Sequence, residues 1–104
     1  MYIIITDSNG NFKRATNIAG YIGRQFVEAS DGGLVIVGQG SSGIGVVKLN
    51  STGAKVWEYN SEYEPTAIVK GSDGKYLIAG GAYVSWGEYK IFVSKLDDTG
   101  KRVW

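Results

Sequence analysis

The chain has 104 residues, of which 43% are hydrophobic and 20% are charged, and its formal net charge is +1. It contains no histidine and no cysteine, which excludes disulfide bonds, zinc ribbons, thiolate catalysis and any Ser-His-Asp or Cys-His centre. Because basic and acidic residues are nearly balanced and are mixed along the chain, we expect no nucleic-acid partner and no membrane partner.

Local signals predict an all-β protein without a signal peptide or membrane span. The segment Met1–Asp7 lacks a positively charged start, and its apolar run is too short for a signal peptide. No stretch approaches the ~20 apolar residues of a membrane helix, so by default we expect a cytoplasmic protein. Sixteen glycines, one proline and many β-branched and aromatic residues favour strands joined by tight turns over helices.

In chain order, the strand signals form a half unit of about residues 1–20 and two full units of about residues 21–61 and 62–104, in one domain of residues 1–104. The half unit holds a strand and turn within Ile3–Gly10 and a strand at Phe12–Ile18. The first full unit has strands at Arg24–Ala29, Leu34–Gln39, Gly45–Leu49 and Lys55–Tyr59. The second has strands at Thr66–Lys70, Tyr76–Gly81, Lys90–Leu96 and Arg102–Trp104. About ten strands are therefore expected.

The units are defined by internal self-similarity. The segment Val46–Gly53 returns 47 residues later as Val93–Gly100, and Ser30–Gly32 returns 42 residues later as Ser72–Gly74. A period of this length indicates stacked supersecondary units.

Two kinds of turn separate the predicted strands. Asp31-Gly32 and Asp73-Gly74 are typical of two-residue hairpin turns. The segments Asn50–Gly53 and Asp97–Gly100 predict four-residue turns that open on an Asx side chain and end on a left-handed glycine.

The segments Ser30–Gly38 and Val46–Trp57 together resemble the blade repeat of bacterial β-propeller proteins, and the resemblance extends from Ile3 to Trp104. It implies four-stranded antiparallel blades whose two outer strands are joined by a Lys-Leu-Asp-x-x-Gly-x-x-x-Trp turn. It implies no single function, because such propellers serve as binding surfaces, structural parts and occasional enzymes. The half unit departs from the pattern, since Thr6 replaces the leucine and Arg14 replaces the tryptophan.

Two and a half units are too few to close a propeller as a monomer, because closed propellers have about four to eight blades. An open strand edge is also a pairing hazard unless something covers it. We therefore expect either a homo-oligomer or a part of a longer propeller. Trp57 and Trp104 occupy equivalent positions and are expected to be structural, with Trp104 covered by a partner or by further chain.

A candidate ligand site lies where the two full units stop matching. Val93 lies thirteen positions after Gly80, whereas Val46 lies eight positions after Gly38. Insertions into a regular repeat often carry function. Within this one, the aromatic rings of Tyr83, Trp86 and Tyr89 would form a stacking platform for a glycan or a protein partner, and Glu88 and Lys90 would supply polar contacts. The alternatives are an oligomer interface and local packing.

Other candidate sites are weaker. Asp7, Asn9 and Asn11 have the alternating oxygen donors of a calcium loop but lack its closing glutamate, so ordinary turn chemistry is the competing interpretation. The carboxylates of Glu62 and Glu64 lie in a predicted connection between units. Ser94 and Lys95 are neighbours on a strand and should point to opposite faces. The glycine-rich segment 38–45 precedes a strand, not the helix that a phosphate-binding loop needs.

We therefore expect no catalytic residue, no cofactor and no resident metal. The preferred hypothesis is a non-enzymatic binding or interaction module that associates with itself. A carbohydrate- or lactone-acting enzyme of propeller type and a structural fragment of a larger propeller are the alternatives.

Overall fold

A computed structural model describes the backbone of residues 1–104 and every side chain except that of Ser42. The described chain folds into nine strands with no α-helix, which confirms the all-β prediction. The strands are β1 Tyr2–Thr6, β2 Phe12–Asn17, β3 Tyr21–Glu28, β4 Leu34–Gly40, β5 Ile44–Leu49, β6 Lys55–Asn60, β7 Pro65–Lys70, β8 Tyr76–Ser85 and β9 Glu88–Leu96, and Ser41–Gly43 form a 3-10 turn. Within the described chain, no helix has the length and apolar character needed to cross a membrane.

The strands form three antiparallel sheets in chain order, which we call sheets A, B and C. Sheet A has the order β1-β2, sheet B the order β3-β4-β5-β6 and sheet C the order β7-β8-β9. Within each sheet, strands that follow one another in sequence pair through short connections, while the β2–β3 and β6–β7 connections lead from one sheet to the next. As described, none of the three sheets closes into a barrel or a ring.

The nine strands agree with the expected number of about ten, but the individual strand expected at Arg102–Trp104 is wrong. Arg102 makes an isolated antiparallel bridge to Leu96. The Lys95 N–H then donates to the Trp104 carbonyl over 2.9 Å, and the Val103 N–H donates to the Lys95 carbonyl over 2.6 Å. Three residues after a turn can make these bonds along the edge of β9, but they are too few for a strand ladder.

Sheet B lies in the middle of the stack, and each of its faces packs on a different neighbour. Side chains alternate between faces along a strand. Val35 and Val37 of β4 therefore join one core cluster with Ile78 and Leu96 of sheet C. Ile36 lies on the opposite face, in a second cluster with residues from sheet A and its flanks. The following residues complete the second cluster: Met1, Ile3, Ile18, Tyr21, Leu34, Ile44, Val47 and Leu49.

Five turns, four of them between strands and one after β9, share one hydrogen-bond pattern, in which the backbone of the first residue bonds the backbone of the fourth and of the fifth. They begin at Asp7, Ala29, Asn50, Gly71 and Asp97. The fourth residue is always a glycine with φ between 78° and 91°, a region that side chains disfavour. The expected two-residue turns at Asp31-Gly32 and Asp73-Gly74 are thus wrong in length. These aspartates are third in the longer turn, where their Oδ1 atoms accept the N–H of the fifth residue over 2.9 and 3.0 Å.

Candidate functional site

The residues inserted between Gly80 and Val93 lengthen a hairpin instead of forming a loop. Tyr76–Ser85 and Glu88–Leu96 remain paired to their ends, where Ser85 lies opposite Glu88. Only Trp86 and Gly87 form the turn, and Gly87 has φ 74°. The inserted segment contains the strand formers Tyr83, Val84 and Tyr89, and Trp-Gly supplies a two-residue turn, so extension satisfies more backbone groups than a loop would.

The five predicted site residues do not converge on one point. Tyr83 lies directly opposite Tyr89, and their rings pack edge to face with centroids 4.9 Å apart. Glu88 and Lys90 belong to the other face of the hairpin, by strand alternation. There the Lys90 Nζ lies 3.8 Å from Glu88 Oε1, and the Ser85 hydroxyl donates to Glu88 Oε2 over 3.3 Å. Trp86 is fully exposed at the tip.

The tyrosine pair instead extends a larger apolar surface, which we call the end face of sheet C. Cross-strand pairing places Val69, Leu77, Ala79 and Val93 on this face, together with Ala67, Ile91, Tyr83 and Tyr89. Ile91 is 79% exposed, Val69 57% and Val93 55%. A contiguous exposed apolar surface of this kind marks an interaction site more often than a scattered set of residues does.

The internal alignment contained evidence for this face, because exposed residues of the face align with buried residues of sheet B. In the self-similar segments, Val93 aligns with Val46 and Ala79 aligns with Val37. Val46 and Val37 are completely buried between sheets B and C.

A buried charge cluster joins sheets B and C and was not predicted. Lys48 is only 3% exposed, and its Nζ lies 2.9 Å from Asp98 Oδ1 and 3.1 Å from Asp31 Oδ2. The hydroxyl of Tyr76 donates to the same Asp98 oxygen over 2.9 Å. The returning Lys-Leu and Asp-Gly pairs were the available signal, but they do not reveal which lysine becomes buried.

The ionisation of this cluster favours a structural role. Burial alone would lower the pKa of Lys48, but hydrogen bonds to Asp98 and Asp31 outweigh burial and raise the pKa above its usual value. Burial, with a smaller contribution from Asp98, raises the pKa of Tyr76. At neutral pH the pair is therefore an ammonium and a neutral phenol, and neither group is poised to act as a general base.

Lys95 repeats part of this arrangement on the end face of sheet C. Its Nζ lies 2.9 Å from Asp73 Oδ2, as that of Lys48 lies close to Asp31. No second carboxylate ion pair is made by Lys95 within the described chain, and its side chain is 26% exposed against 4% for Lys48.

The candidate calcium loop at Asp7, Asn9 and Asn11 forms a hydrogen-bonded turn. Asp7 Oδ1 accepts the N–H groups of Asn9 and Asn11, each over 2.9 Å, and Asp7 Oδ2 accepts the Asn11 side-chain amide over 3.3 Å. The backbone bonds, with that of Asn11 the largest, lower the pKa of Asp7. Among the described residues there is no group of three or more acidic, histidine or cysteine side chains that could hold a metal ion.

The remaining catalytic candidates take part in other contacts or lie on different faces of a sheet. Glu64 forms an ion pair with Arg24, whose Nε lies 3.0 Å from Glu64 Oε1. Lys95 lies on the end face beside Asp73, while Ser94, its neighbour on β9, belongs to the opposite face.

Comparison of the chain with protein-family models, with curated proteins and with solved structures finds no match.

Proposed function

We propose that this chain is a non-enzymatic β-repeat interaction module that associates head to tail with copies of itself. The observation that carries the proposal is the end face of sheet C, an exposed apolar surface whose aligned residues in sheet B are buried against the next sheet. In this proposal, sheets A, B and C are successive propeller-like units. A second copy then occupies the position that a following unit would take.

The surface at the other end of the stack is also apolar. On the outer face of sheet A, Tyr2 is 73% exposed, Ile4 66% and Phe12 67%. The half-unit segment Ile3–Gly10 aligns with Val46–Gly53, so Ile4 corresponds to Val47, which is buried where sheet B meets sheet A. Each copy thus presents two different apolar faces at opposite ends, which is the arrangement of a heterologous contact that forms a ring or an open array.

The surroundings of Lys95 also support a second copy of the chain as the partner. In the middle of the stack, Lys48 takes a second carboxylate, Asp98, from the turn of the following sheet. Lys95 has its own sheet's Asp73 only. A second copy seated on sheet C would place a turn beside Lys95 and cover its stem.

The test compares two valines of equal exposure. Val93→Lys places a charge in the proposed contact, whereas Val56→Lys places the same charge on the middle sheet, where Val56 is 53% exposed against 55% for Val93. Sedimentation equilibrium should show a defined oligomer for the unmodified chain and for Val56→Lys. Val93→Lys should weaken association at least tenfold, because an unpaired charge would be buried. A monodisperse unmodified monomer at tens of micromolar would refute self-association.

The alternative of a carbohydrate- or lactone-acting enzyme has less support. Glu64 is held by Arg24, and the buried Lys48 and Tyr76 are in the wrong ionisation state for base catalysis at neutral pH. A screen of chromogenic glycosides and lactones distinguishes it from the interaction module. The third alternative, a structural piece of a larger propeller, predicts that the two end faces bind other repeat units and not each other.

A further inference from the structure

Two aligned residues differ sharply in burial and reveal a second, independent binding surface. Phe26 on β3 aligns with Ile68 on β7, 42 residues later. Ile68 is 3% exposed in the core between sheets B and C, whereas Phe26 is 63% exposed. Phe26 lies opposite Ile36 and so shares the face of sheet B that is turned toward sheet A. Sheet A therefore leaves uncovered a position that sheet B covers in the next interface.

Phe26 is left uncovered because sheet A is narrower than sheet B. Sheet B contributes four strands to its contact with sheet C, but sheet A contributes only β1 and β2 to its contact with sheet B. Beside β1 lies an open groove of roughly 630 Å³. Ile3 and Ile5 line one side of it, and Phe26, Leu34 and Ile36 of sheet B line another.

The edge of β1 that borders this groove has no partner strand in the described chain. β1 pairs with β2 alone, while β5, its aligned counterpart, pairs with β4 on one side and β6 on the other. An edge of this kind presents unpaired N–H and C=O groups that can accept another strand. The groove and the free edge are adjacent, so backbone and side-chain binding surfaces coincide.

We infer that an extended segment of a partner protein adds antiparallel to the free edge of β1 and places alternate small aliphatic side chains over Phe26, Leu34 and Ile36. Strand addition combines main-chain hydrogen bonds with pockets for every second side chain. The inference deepens the proposed function, since it requires an interaction module, but it uses a different surface from the self-association.

The fold itself indicates the chemistry of the partner. Beside β5, the neighbouring strand places Leu34–Val37 opposite Val46–Leu49 in antiparallel register. Beside β9, Tyr76–Ala79 take the same place. In both cases the strand is uncharged over four residues, and the two side chains turned toward the following sheet are small or medium-sized aliphatics: Val35 and Val37, or Leu77 and Ala79. A segment of this pattern would fill the groove beside β1.

The test uses a fluorescent peptide with the sequence of residues 72–81 and a scrambled peptide of equal composition. Binding is measured by anisotropy on the Val93→Lys background, which keeps self-association from contributing. We expect saturable 1:1 binding of the native-order peptide only. Phe26→Asp should weaken it at least tenfold. Phe12→Asp is the matched control, because Phe12 is 67% exposed but lies on the outer face of sheet A, and it should leave binding unchanged.

Hydrogen exchange separates strand addition from simple adhesion. The bound peptide should slow exchange of amides in β1 at its free edge. Failure of the native-order peptide to bind, equal loss with both phenylalanine variants, or binding without protection of β1 each overturns the inference. Because Phe12 belongs to the proposed self-association face, Phe12→Asp in the unmodified background should weaken oligomers but not peptide binding. Failure of one proposal therefore leaves the other separately testable.

Discussion

The contact between Trp57 and Gly100 allows a quantitative test of how sheets B and C are joined. A Cβ atom added at Gly100 would lie 2.7 Å from both Cδ2 and Cε3 of the Trp57 ring. The indole Nε1 donates to the Asp98 carbonyl in the same turn over 3.0 Å. Gly74 is the matched control, because it lies in a turn of the same sheet with φ 78°, against 85° at Gly100, and a Cβ there would meet nothing within 4 Å.

We expect Gly100→Ala to be clearly more destabilising than Gly74→Ala. Both variants place a side chain in the left-handed region, which costs about 1–2 kcal/mol. Only Gly100→Ala also displaces the indole, and overpacking of this kind adds about 1–3 kcal/mol. For a domain of this size, each kcal/mol corresponds to roughly 4–8 °C in Tm. The two variants should therefore differ by at least ~4 °C.

The assay is thermal unfolding of dilute protein, followed by circular dichroism so that the signal does not depend on Trp57 itself. A second comparison uses a Trp57→Leu background, in which Gly100→Ala should lose its additional cost and match Gly74→Ala. Residues in direct contact are expected to show such non-additivity. Equal costs for the two glycines in the unmodified chain would refute the stacking argument, and so would an extra cost that persists without Trp57.

The remaining predictions concern buried polar groups. Lys48→Met should lower the free energy of unfolding by about 1–3 kcal/mol. This is less than the usual cost of breaking a buried ion pair, because the half-exposed carboxylates of Asp31 and Asp98 regain water. Lys95→Met should lower the free energy of unfolding by under ~1 kcal/mol. Because the pKa of Lys48 is raised in the folded state, its contribution to stability is fully present below pH 10.5 and is lost as the pH rises through the folded-state pKa. Above pH 10.5, the free energy of unfolding of Lys48→Met should therefore fall less steeply with pH than that of the unmodified chain. Arg14→Met should stabilise the chain by about 1 kcal/mol in thermal unfolding, because Arg14 Nε is buried without a hydrogen-bond partner among the described atoms, and a destabilised variant would contradict this.

The strands and turns could be predicted because their signals are local. Glycine at the fourth position and an Asx side chain at the first or third determine each of the five turns that share this pattern, as at Asp97–Lys101. The expected starts of Leu34–Gly40 and Lys55–Asn60 agree with the structure to the residue. The fourth strand of the last unit was the exception, since a strand also needs a ladder of partners.

The candidate site was predicted less well because its geometry depends on tertiary contacts. The segment between Ala82 and Lys90 has the same composition whether it loops or continues a hairpin, and only the Ser85–Glu88 pairing decides that it is a hairpin. Strand alternation then separates Tyr83 and Tyr89 from Glu88. Likewise, no local signal distinguishes the buried Lys48 from the more exposed Lys95, which precedes an identical leucine.

The difference between these two lysines also bears on the strength of the proposed self-association. Lys48 reaches a carboxylate because the turn of sheet C carries Asp98 at its second position. In sheet A the second position of the aligned turn is Ser8. A copy that seats sheet A against sheet C would therefore offer the Lys95 ammonium a neutral hydroxyl where the internal contact offers Lys48 a carboxylate. A hydrogen bond from an ammonium to a hydroxyl lacks the attraction between opposite charges and is the weaker of the two. Sheet A also lacks the two strands whose counterparts in sheet C cover much of sheet B. The contact between copies should thus be weaker than the internal contact of sheets B and C, which is the property expected of a reversible assembly.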